Sequence, residues 1–338
     1  MEKCLTVLLT DTHFGTHNNS MTWFKSQKDF IENQFIPHLQ QRKDEGYKVR
    51  VIHCGDVFDS RSTINSYIAS EVVELFSRIC EIIDKFVIVL GNHDYYNPSS
   101  DNVDTVSLVF GQLILRYKHF MITPKQKTYD IWGSEQSLFV PWYEWLDQKG
   151  LIKYLKSNTI DNIFTHADLD REETKITKPI IFNGHVHTPF FKKNIKNLGS
   201  CFSLTFADCN QDRGFYEYED GGELRFIKNE KSIRFWRFYN KEVLKIPRGV
   251  SQNDYIELYV EKSLLMNPTY SDACNRWTSK FKNIWVIPQV DEGDGKVVDL
   301  QKFEGYDIEK MTERLIPDEI KDKFERIKQY INNTNKDI

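Results

Sequence analysis

Side chains that commonly bind metal ions stand in five short motifs within the first 187 residues. Together these motifs contribute two carboxylates, one amide and four imidazoles, namely Asp11, His13, Asp56, Asn92, His166, His185 and His187. Imidazole nitrogen suits transition metals, whereas carboxylate and amide oxygens suit Mn, Mg or Fe. Seven such groups are enough for two octahedral ions and too many for one. The sequence therefore predicts a centre that holds two divalent cations.

Spacing within the first and the last motif allows neighbouring ligands to act on one ion. Alternation along an extended chain sends residues i and i+2 to the same side, so Asp11 and His13 could hold one ion together. The same reasoning applies to His185 and His187. Each motif alone has a simpler explanation, because Gly-Asp and Gly-Asn are common turn sequences and a lone histidine pair can be structural. Five such motifs, each placed after an apolar run, favour a shared metal site over unrelated turns.

Short apolar runs that alternate with helix-period segments must position these motifs, and this alternation is typical of a layered α/β fold. Strands are predicted at residues 5–10, 49–54, 86–90, 162–166 and 180–183, and helices at 21–41, 63–83 and 104–117. Pro37 could end or kink the first of these helices. The β-α-β-α-β order implies parallel strands, whose carboxyl ends meet at one edge of a sheet. All five motifs follow such ends.

The pattern changes after about residue 195, where closely spaced short strands replace the alternation with helices. Gly221-Gly222 between two alternating runs predicts an antiparallel hairpin. Pro247 and Gly249 interrupt the pattern before a small β-α-β unit, and Pro317 divides the last apolar segment into two predicted helices. We therefore expect a main domain at residues 1–245, a small α+β domain at 250–292 and a helical segment at 300–335.

Composition excludes several classes of protein. The 338 residues are 40% hydrophobic and 28% charged, which excludes wholesale disorder. Because no stretch approaches the roughly 18 to 20 apolar residues of a membrane span and no signal peptide is evident, we expect a soluble, cytoplasmic protein without a membrane partner. The six cysteines include no CxxC pair, so neither a disulfide framework nor a zinc finger is indicated. The net charge of -4 argues against coating nucleic acid by bulk charge, but it leaves room for a local basic groove.

The motifs DTHFG, GDVFD, GNHD, the His166 segment and GHVH stand in the order of the calcineurin-like metallophosphoesterase signature, and the chain resembles that superfamily. Within the superfamily, DxHFG with GDxFD, a late RGF element (Arg213-Gly214-Phe215) and a separate C-terminal module are similar to the SbcD-type DNA-repair nuclease subunit and its phage counterparts. The resemblance implies a β-sheet sandwich flanked by helices, a small α+β capping domain and a C-terminal helical segment.

The resemblance also implies which ligands share a metal. One metal would be held by Asp11, His13 and His187, the other by Asn92, His166 and His185, and Asp56 would bridge both. His93 matches a histidine that acts in catalysis without binding metal. Asp59 stands where some relatives have a second histidine, which implies an Asp59–His93 dyad in which the carboxylate orients the imidazole. The alternative for Asp59 is that it caps the following helix.

On this resemblance we expect a two-metal DNA phosphodiesterase with exonuclease or endonuclease activity, with Mn²⁺ as the expected metal and Mg²⁺ as the alternative. It would be the nuclease subunit of an SbcC/SbcD-like repair and recombination complex. Its C-terminal helices would bind an SbcC-type ATPase, and a homodimer would form through the helix near residues 63–83 or 104–117. Candidate DNA contacts are Arg61 after the second motif, His17 behind the first, and Arg213 in the RGF element.

Two other functions stay open. One is a different enzyme of the same superfamily, such as a phosphatase, a nucleotide phosphodiesterase or an RNA-processing hydrolase. Protein phosphatases of this superfamily usually carry GDxVDRG and GNHE, whereas this chain has GDVFDSR and GNHD. The other is a non-catalytic scaffold that binds DNA or an ATPase. This hypothesis is weaker, because the set of metal ligands is complete.

Overall fold

The computed structural model describes residues 2–97, 100–123, 128–169, 176 and 178–289. The helical segment predicted at residues 300–335 lies outside these described residues, and so does the ATPase contact that depends on it. In the part of the chain that the structure describes, none of the helices is both long and apolar enough to cross a bilayer.

Strands and helices alternate through most of the described chain, as the hydrophobic pattern predicts. The strands are β1 (Lys3–Leu9), β2 (Tyr47–His53), β3 (Lys85–Ile88), β4 (Tyr95–Asn97), β5 (Ser100–Asp104), β6 (Phe120–Ile122), β7 (Thr128–Trp132), β8 (Glu135–Val140), β9 (Asn162–His166), β10 (Ile180–Gly184), β11 (Phe190–Lys192), β12 (Ile195–Asn197), β13 (Gly214–Glu219), β14 (Arg225–Lys228), β15 (Phe235–Tyr239), β16 (Tyr255–Glu261) and β17 (Asn283–Gln289). The helices are α1 (Thr16–Asn19), α2 (Met21–Phe30), α3 (Ile36–Asp44), α4 (Ser66–Ile82), α5 (Thr105–Arg116), α6 (Trp142–Leu146), α7 (Gln148–Ser157), α8 (Lys262–Leu265) and α9 (Pro268–Lys280).

Two six-stranded sheets form the sandwich that carries the motifs. Their strand orders are β14-β13-β1-β2-β3-β6 and β11-β12-β10-β9-β8-β7. In the first sheet β1, β2, β3 and β6 run parallel, which confirms the pairing predicted from the β-α-β-α-β order. One buried cluster joins the sheets and contains Leu8, Ile52 and Val87 from the first and Phe139, Phe164 and Phe182 from the second. The predicted layered α/β fold, a sheet sandwich flanked by helices, is therefore confirmed.

Helices α4 and α5 pack on the outer face of the first sheet. The Asn65 side chain caps α4 by accepting the backbone N–H groups of Tyr67 and Ile68, which is why the helix starts a little later than predicted. Phe76 of α4 and Phe110 of α5 stack with their ring centroids 4.9 Å apart, within the same buried cluster as the strand residues. This packing holds the strand ends of the first sheet in a fixed position.

Pro37 does not end the helix that begins at Met21. A π-helical segment at Ile31–Phe35 lies between α2 and α3, and the Ile36 N–H donates to the Ile31 carbonyl. Pro37 follows this wider turn in the first turn of α3, where a residue without an N–H is tolerated. The proline therefore changes the helical pitch locally, and the helix continues to Asp44.

A hairpin and a small sheet complete the described chain. Strands β13 and β14 pair antiparallel, which confirms the hairpin predicted around Gly221-Gly222. Strands β15, β16 and β17 form a separate parallel sheet, on which α9 packs with Trp277 buried. Because β15 lies before residue 245, this sheet begins earlier than the small domain predicted from the sequence. In the sequence, β15 is one more short apolar strand after the hairpin. The hydrophobic pattern therefore does not reveal that β15 belongs to a different sheet.

Candidate metal centre

The predicted motifs meet at one edge of the sandwich, where the parallel strands of both sheets end. Asp11 and His13 follow β1, Asp56 follows β2, Asn92 and His93 follow β3, His166 ends β9, and His185 and His187 follow β10. Each carboxyl end thus delivers its polar side chains to the same place, as expected for a parallel α/β sheet.

Several of the candidate ligands lie on backbone in the left-handed region. The φ angles are 51° at Asp11, 43° at His13, 56° at Asp56 and 77° at His185. Each such backbone conformation costs about 1–3 kcal/mol of strain, and it persists only where surrounding contacts offset that strain. Here the loops hold each other, because the Asp11 N–H donates to the Gly55 carbonyl at 3.0 Å and the His13 N–H to the Asp56 carbonyl at 3.1 Å. The side chains of Asp11 and His13 converge through this turn and not through the extended alternation predicted.

The side chains form two subsites that share Asp56. In the first subsite Asp11 Oδ1 lies 3.8 Å from His13 Nε2 and 3.7 Å from His187 Nε2. Asp56 Oδ2 lies 3.7 Å from His13 Nε2 and 3.2 Å from His166 Nε2, and so it contacts both groups. The division of these ligands between two metals stays a prediction.

The second subsite is formed around the amide of Asn92. Its Oδ1 lies 3.0 Å from His166 Nε2 and 3.0 Å from His185 Nδ1. Nε2 of His13 in the first subsite is buried and has no hydrogen-bond partner among the described residues, so it is free to face a cation. In each group of three, the carboxylate oxygens and imidazole nitrogens are buried or half-buried and lie within 4.8 Å of one another, a donor set that suits a first-row divalent cation. The residues present therefore fit the metals that the sequence predicts.

Charges in the centre change one another's pKa values. Burial lowers the pKa of His13, but its contacts with Asp11, Asp59 and Asp56 outweigh burial and raise the pKa to about 10. Burial also lowers the pKa of His166, and the charge of Asp56 raises it to about 9. At neutral pH the metal-free centre therefore carries two imidazolium groups beside its carboxylates.

Metal binding is expected to release about two protons at pH 7 and to strengthen as the pH rises toward about 10, the higher of the two pKa values. His13 and His166 must lose their protons first, because only neutral imidazole offers a lone pair to a cation. Calorimetric titration of Mn²⁺ in buffers of different ionisation enthalpy counts the protons. Binding at pH 7 without proton release, or binding that is independent of pH, would contradict these charge states.

His93 lies beside both subsites, but its partner differs from the predicted one. Its backbone N–H donates to Asp56 Oδ1 at 2.8 Å, and its ring stands nearly perpendicular to that of His13 at 5.1 Å. His93 Nδ1 lies 2.6 Å from the backbone carbonyl oxygen of Asp59, whereas the Asp59 carboxylate lies 3.3 Å from His13 Nδ1. The predicted carboxylate–imidazole dyad is not formed, because the carbonyl takes the place beside His93. Asp59 does not cap α4 either, since Asn65 does.

Two further residues that are not among the predicted site residues contact the candidate ligands or their loops. Asp94 is fully buried and accepts three backbone N–H groups, including those of Asp56 and Val57 at 2.9 Å. Burial and the charge of Asp56 raise the pKa of Asp94 to about 7. Trp142 places its ring 4.8 Å from that of His185. Asp94 could have been found from the sequence, because it is the last residue of the GNHD motif. Trp142 belongs to none of the motifs.

Arg213 was predicted to contact DNA, and the structure corrects this prediction. The side chain is buried, and its guanidinium donates to Asp208 Oδ1 at 2.6 Å and to the backbone carbonyl of His187. A guanidinium that is enclosed and already paired is not available to a phosphate. Arg213 therefore holds the loop that carries His187.

His17 and Arg61 keep positions at which a substrate could reach them. His17 is exposed, stacks on Trp23 with ring centroids 4.3 Å apart, and has Nε2 2.8 Å from the Leu204 carbonyl. Arg61 is half-buried on the loop that follows Asp59. Their contact with DNA stays a prediction.

Comparison with known proteins places these motifs in a wider context. Residues 5–189, more than half of the chain, match the family model of the calcineurin-like phosphoesterases. Exonuclease subunit 1 of Enterobacteria phage T4 is 25% identical over an alignment 244 residues long, which covers 65% of this chain and 66% of that protein, just under two thirds. Protein 244L of Invertebrate iridescent virus 6 is 22% identical over an alignment 272 residues long, which covers 73% of this chain and 84% of that one.

The fold is also similar to that of solved structures. The 5'-nucleotidase from Candida albicans is 17% identical, and the superposition covers 59% of this chain and 45% of that one with a TM-score of 0.34.

Proposed function

This chain belongs to the calcineurin-like phosphoesterase family, and we propose that it is a two-metal DNA phosphodiesterase, the nuclease subunit of an SbcC/SbcD-like repair and recombination complex. The observation that carries the proposal is the convergence of imidazole, carboxylate and amide donors on two subsites that share Asp56. Two adjacent cations and a nearby histidine outside the ligand set are what phosphodiester hydrolysis requires.

DNA is the proposed substrate for two reasons. A phage protein named as an exonuclease subunit is 25% identical over an alignment that covers 65% of this chain. The motif text GDVFDSR and GNHD also departs from the GDxVDRG and GNHE of protein phosphatases. His17 in α1 and Arg61 on the loop that follows Asp59 are the proposed contacts to phosphates of the bound strand.

The proposed reaction is hydrolysis by in-line attack of water on a phosphodiester. Bound divalent cations supply charge neutralisation at the phosphate and lower the pKa of the attacking water. The chain supplies rigid positioning, since Asp94 ties the loop of Asp56 to the loop of Asn92 and His93. His93 has its Nδ1 on the Asp59 carbonyl, so Nε2 is the atom left to stabilise the phosphate or to donate a proton to the leaving oxygen. We propose Mn²⁺ as the metal, with Mg²⁺ as the alternative, because histidine-rich sites favour transition metals.

The proposal extends to partners and location. Leu108 and Leu115 lie two turns apart on α5 and are 73% and 87% exposed, which supports a homodimer formed through this helix. The proposed ATPase contact would use residues 300–335, outside the described residues. We propose that the complex acts in the cytoplasm.

A substrate panel separates this function from its alternatives. End-labelled double-stranded and single-stranded DNA are compared with p-nitrophenyl phosphate and a cyclic nucleotide, each with Mn²⁺ or Mg²⁺. The expected kcat/KM for DNA exceeds that for the monoester at least about a hundredfold. Preference for the monoester or the cyclic nucleotide would favour another phosphoesterase, and no hydrolysis of any substrate would favour the scaffold.

A further inference from the structure

We propose that Asp59 is a positioning residue for His13 and not the partner of His93. Its carboxylate lies beside His13 Nδ1, where it can accept the Nδ1–H and so direct the opposite ring nitrogen at the cation. This inference rests on the proposed function, because it assigns a role within the same metal centre.

Backbone pairing between two loops places Asp59 beside His13. Phe14, the residue after His13, and Phe58, the residue before Asp59, form a parallel bridge. The Phe14 N–H donates to the Val57 carbonyl at 2.9 Å, and the Asp59 N–H donates to the Phe14 carbonyl at 3.1 Å. Because these bonds set the register of the two loops, they bring the backbone of Asp59 close to that of His13.

Contacts of Asp59 separate the two histidines. The carboxylate Oδ1 lies 3.3 Å from His13 Nδ1, and the backbone carbonyl oxygen lies 2.6 Å from His93 Nδ1. Among the described residues, His13 is the one cationic group within ion-pair distance of this carboxylate, whose side chain is otherwise 38% exposed. The negative charge of Asp59 is therefore directed at a metal ligand, while His93 receives only a neutral acceptor.

The opposite side of the His13 ring indicates what this contact does. Nε2 lies 3.8 Å from Asp11 Oδ1 and 3.7 Å from Asp56 Oδ2, between the carboxylates of the two subsites. An acceptor on Nδ1 selects the tautomer whose lone pair is on Nε2, and it fixes the plane of the ring. Removal of such an acceptor typically weakens metal binding about 10- to 100-fold.

Calorimetric titration of Mn²⁺ into the metal-stripped full chain tests the inference. The wild type is expected to show two sites, one of which is weakened about 10- to 100-fold in Asp59→Ala. Asp59→Asn keeps the shape and can still accept the N–H through its amide oxygen, so its loss is expected to be smaller. Asp254→Asn, which changes a buried carboxylate beside the small sheet, is the control and is expected to leave both affinities unchanged.

Turnover measured at rising Mn²⁺ concentration is a second test. If Asp59 had only a structural role, added Mn²⁺ would not restore the turnover of its variants. Excess Mn²⁺ is expected to restore the turnover of Asp59→Asn toward the wild-type value, because the defect lies in cation binding. Unchanged Mn²⁺ affinity in both variants, or turnover that stays low at any Mn²⁺ concentration, would overturn the inference and assign Asp59 to His93. A wild-type chain that binds no Mn²⁺ would instead overturn the proposed function itself.

Discussion

Replacement of Asp56 by alanine is expected to lower the rate of Mn²⁺-dependent DNA cleavage at least about a thousandfold. Asp56 Oδ2 lies 3.2 Å from His166 Nε2 and 3.7 Å from His13 Nε2, so one side chain serves both subsites. Its Oδ1 also accepts the backbone N–H of His93. A catalytic cation lowers the activation free energy by several kcal/mol, and each step of about 1.4 kcal/mol in that free energy changes the rate tenfold.

A matched control for this variant is Asp254→Asn. Asp254 is also buried, and it accepts the N–H groups of Arg234, Ser251 and the Trp236 indole, but it lies beside the small sheet. Initial rates on end-labelled DNA at saturating Mn²⁺ compare the two variants, with thermal unfolding as a check on folding. Near wild-type cleavage by Asp56→Ala would contradict the bridging role. An equal loss in Asp254→Asn would show that disturbed packing is the cause.

Replacement of His93 by alanine is expected to lower kcat for DNA about 10²- to 10⁴-fold and to leave Mn²⁺ binding intact. The division of ligands that the resemblance implies leaves His93 outside both metal sites, and its Nδ1 lies on the Asp59 carbonyl. The loss therefore belongs to the chemical step. Single-turnover cleavage, combined with Mn²⁺ calorimetry on the same protein, measures both quantities.

The choice of leaving group shows what His93 contributes. A proton donor matters most when the leaving oxygen is basic, as in DNA, and least when it is a nitrophenolate. The loss in His93→Ala is thus expected to be much smaller on bis(p-nitrophenyl) phosphate than on DNA. Equal losses on both substrates would indicate electrostatic stabilisation of the phosphate, and no loss on DNA would exclude His93 from the reaction.

The position of the centre could be predicted because strand order and strand ends are local properties of the sequence. Apolar runs define β1, β2 and β3, and the helices between them force parallel pairing, so the residues after each strand must meet. The periodicity of α4 likewise predicts a helix on the outer face. These features depend on hydrophobic pattern and chirality, which short stretches of sequence carry.

The directions of individual side chains could not be predicted in the same way. Asp11 and His13 converge through positive φ angles, which are held by a loop more than 40 residues further along the chain. The carboxylate of Asp59 lies beside His13 and its backbone carbonyl beside His93, on a loop that the Phe14–Phe58 bridge pairs with the loop of His13. Arg213 looked like a free cation in the sequence, and only tertiary contact with Asp208 reveals that it is paired. Each of these outcomes depends on residues distant in sequence.

Stepwise titration of Mn²⁺ into the metal-stripped protein, with cleavage of an end-labelled DNA duplex measured at each step, tests the central claim most directly. We predict no cleavage without metal, activity that rises until two equivalents are bound, and loss of activity when EDTA is added. Cleavage that persists in EDTA, or binding of two equivalents without any cleavage of DNA, would contradict a two-metal DNA phosphodiesterase.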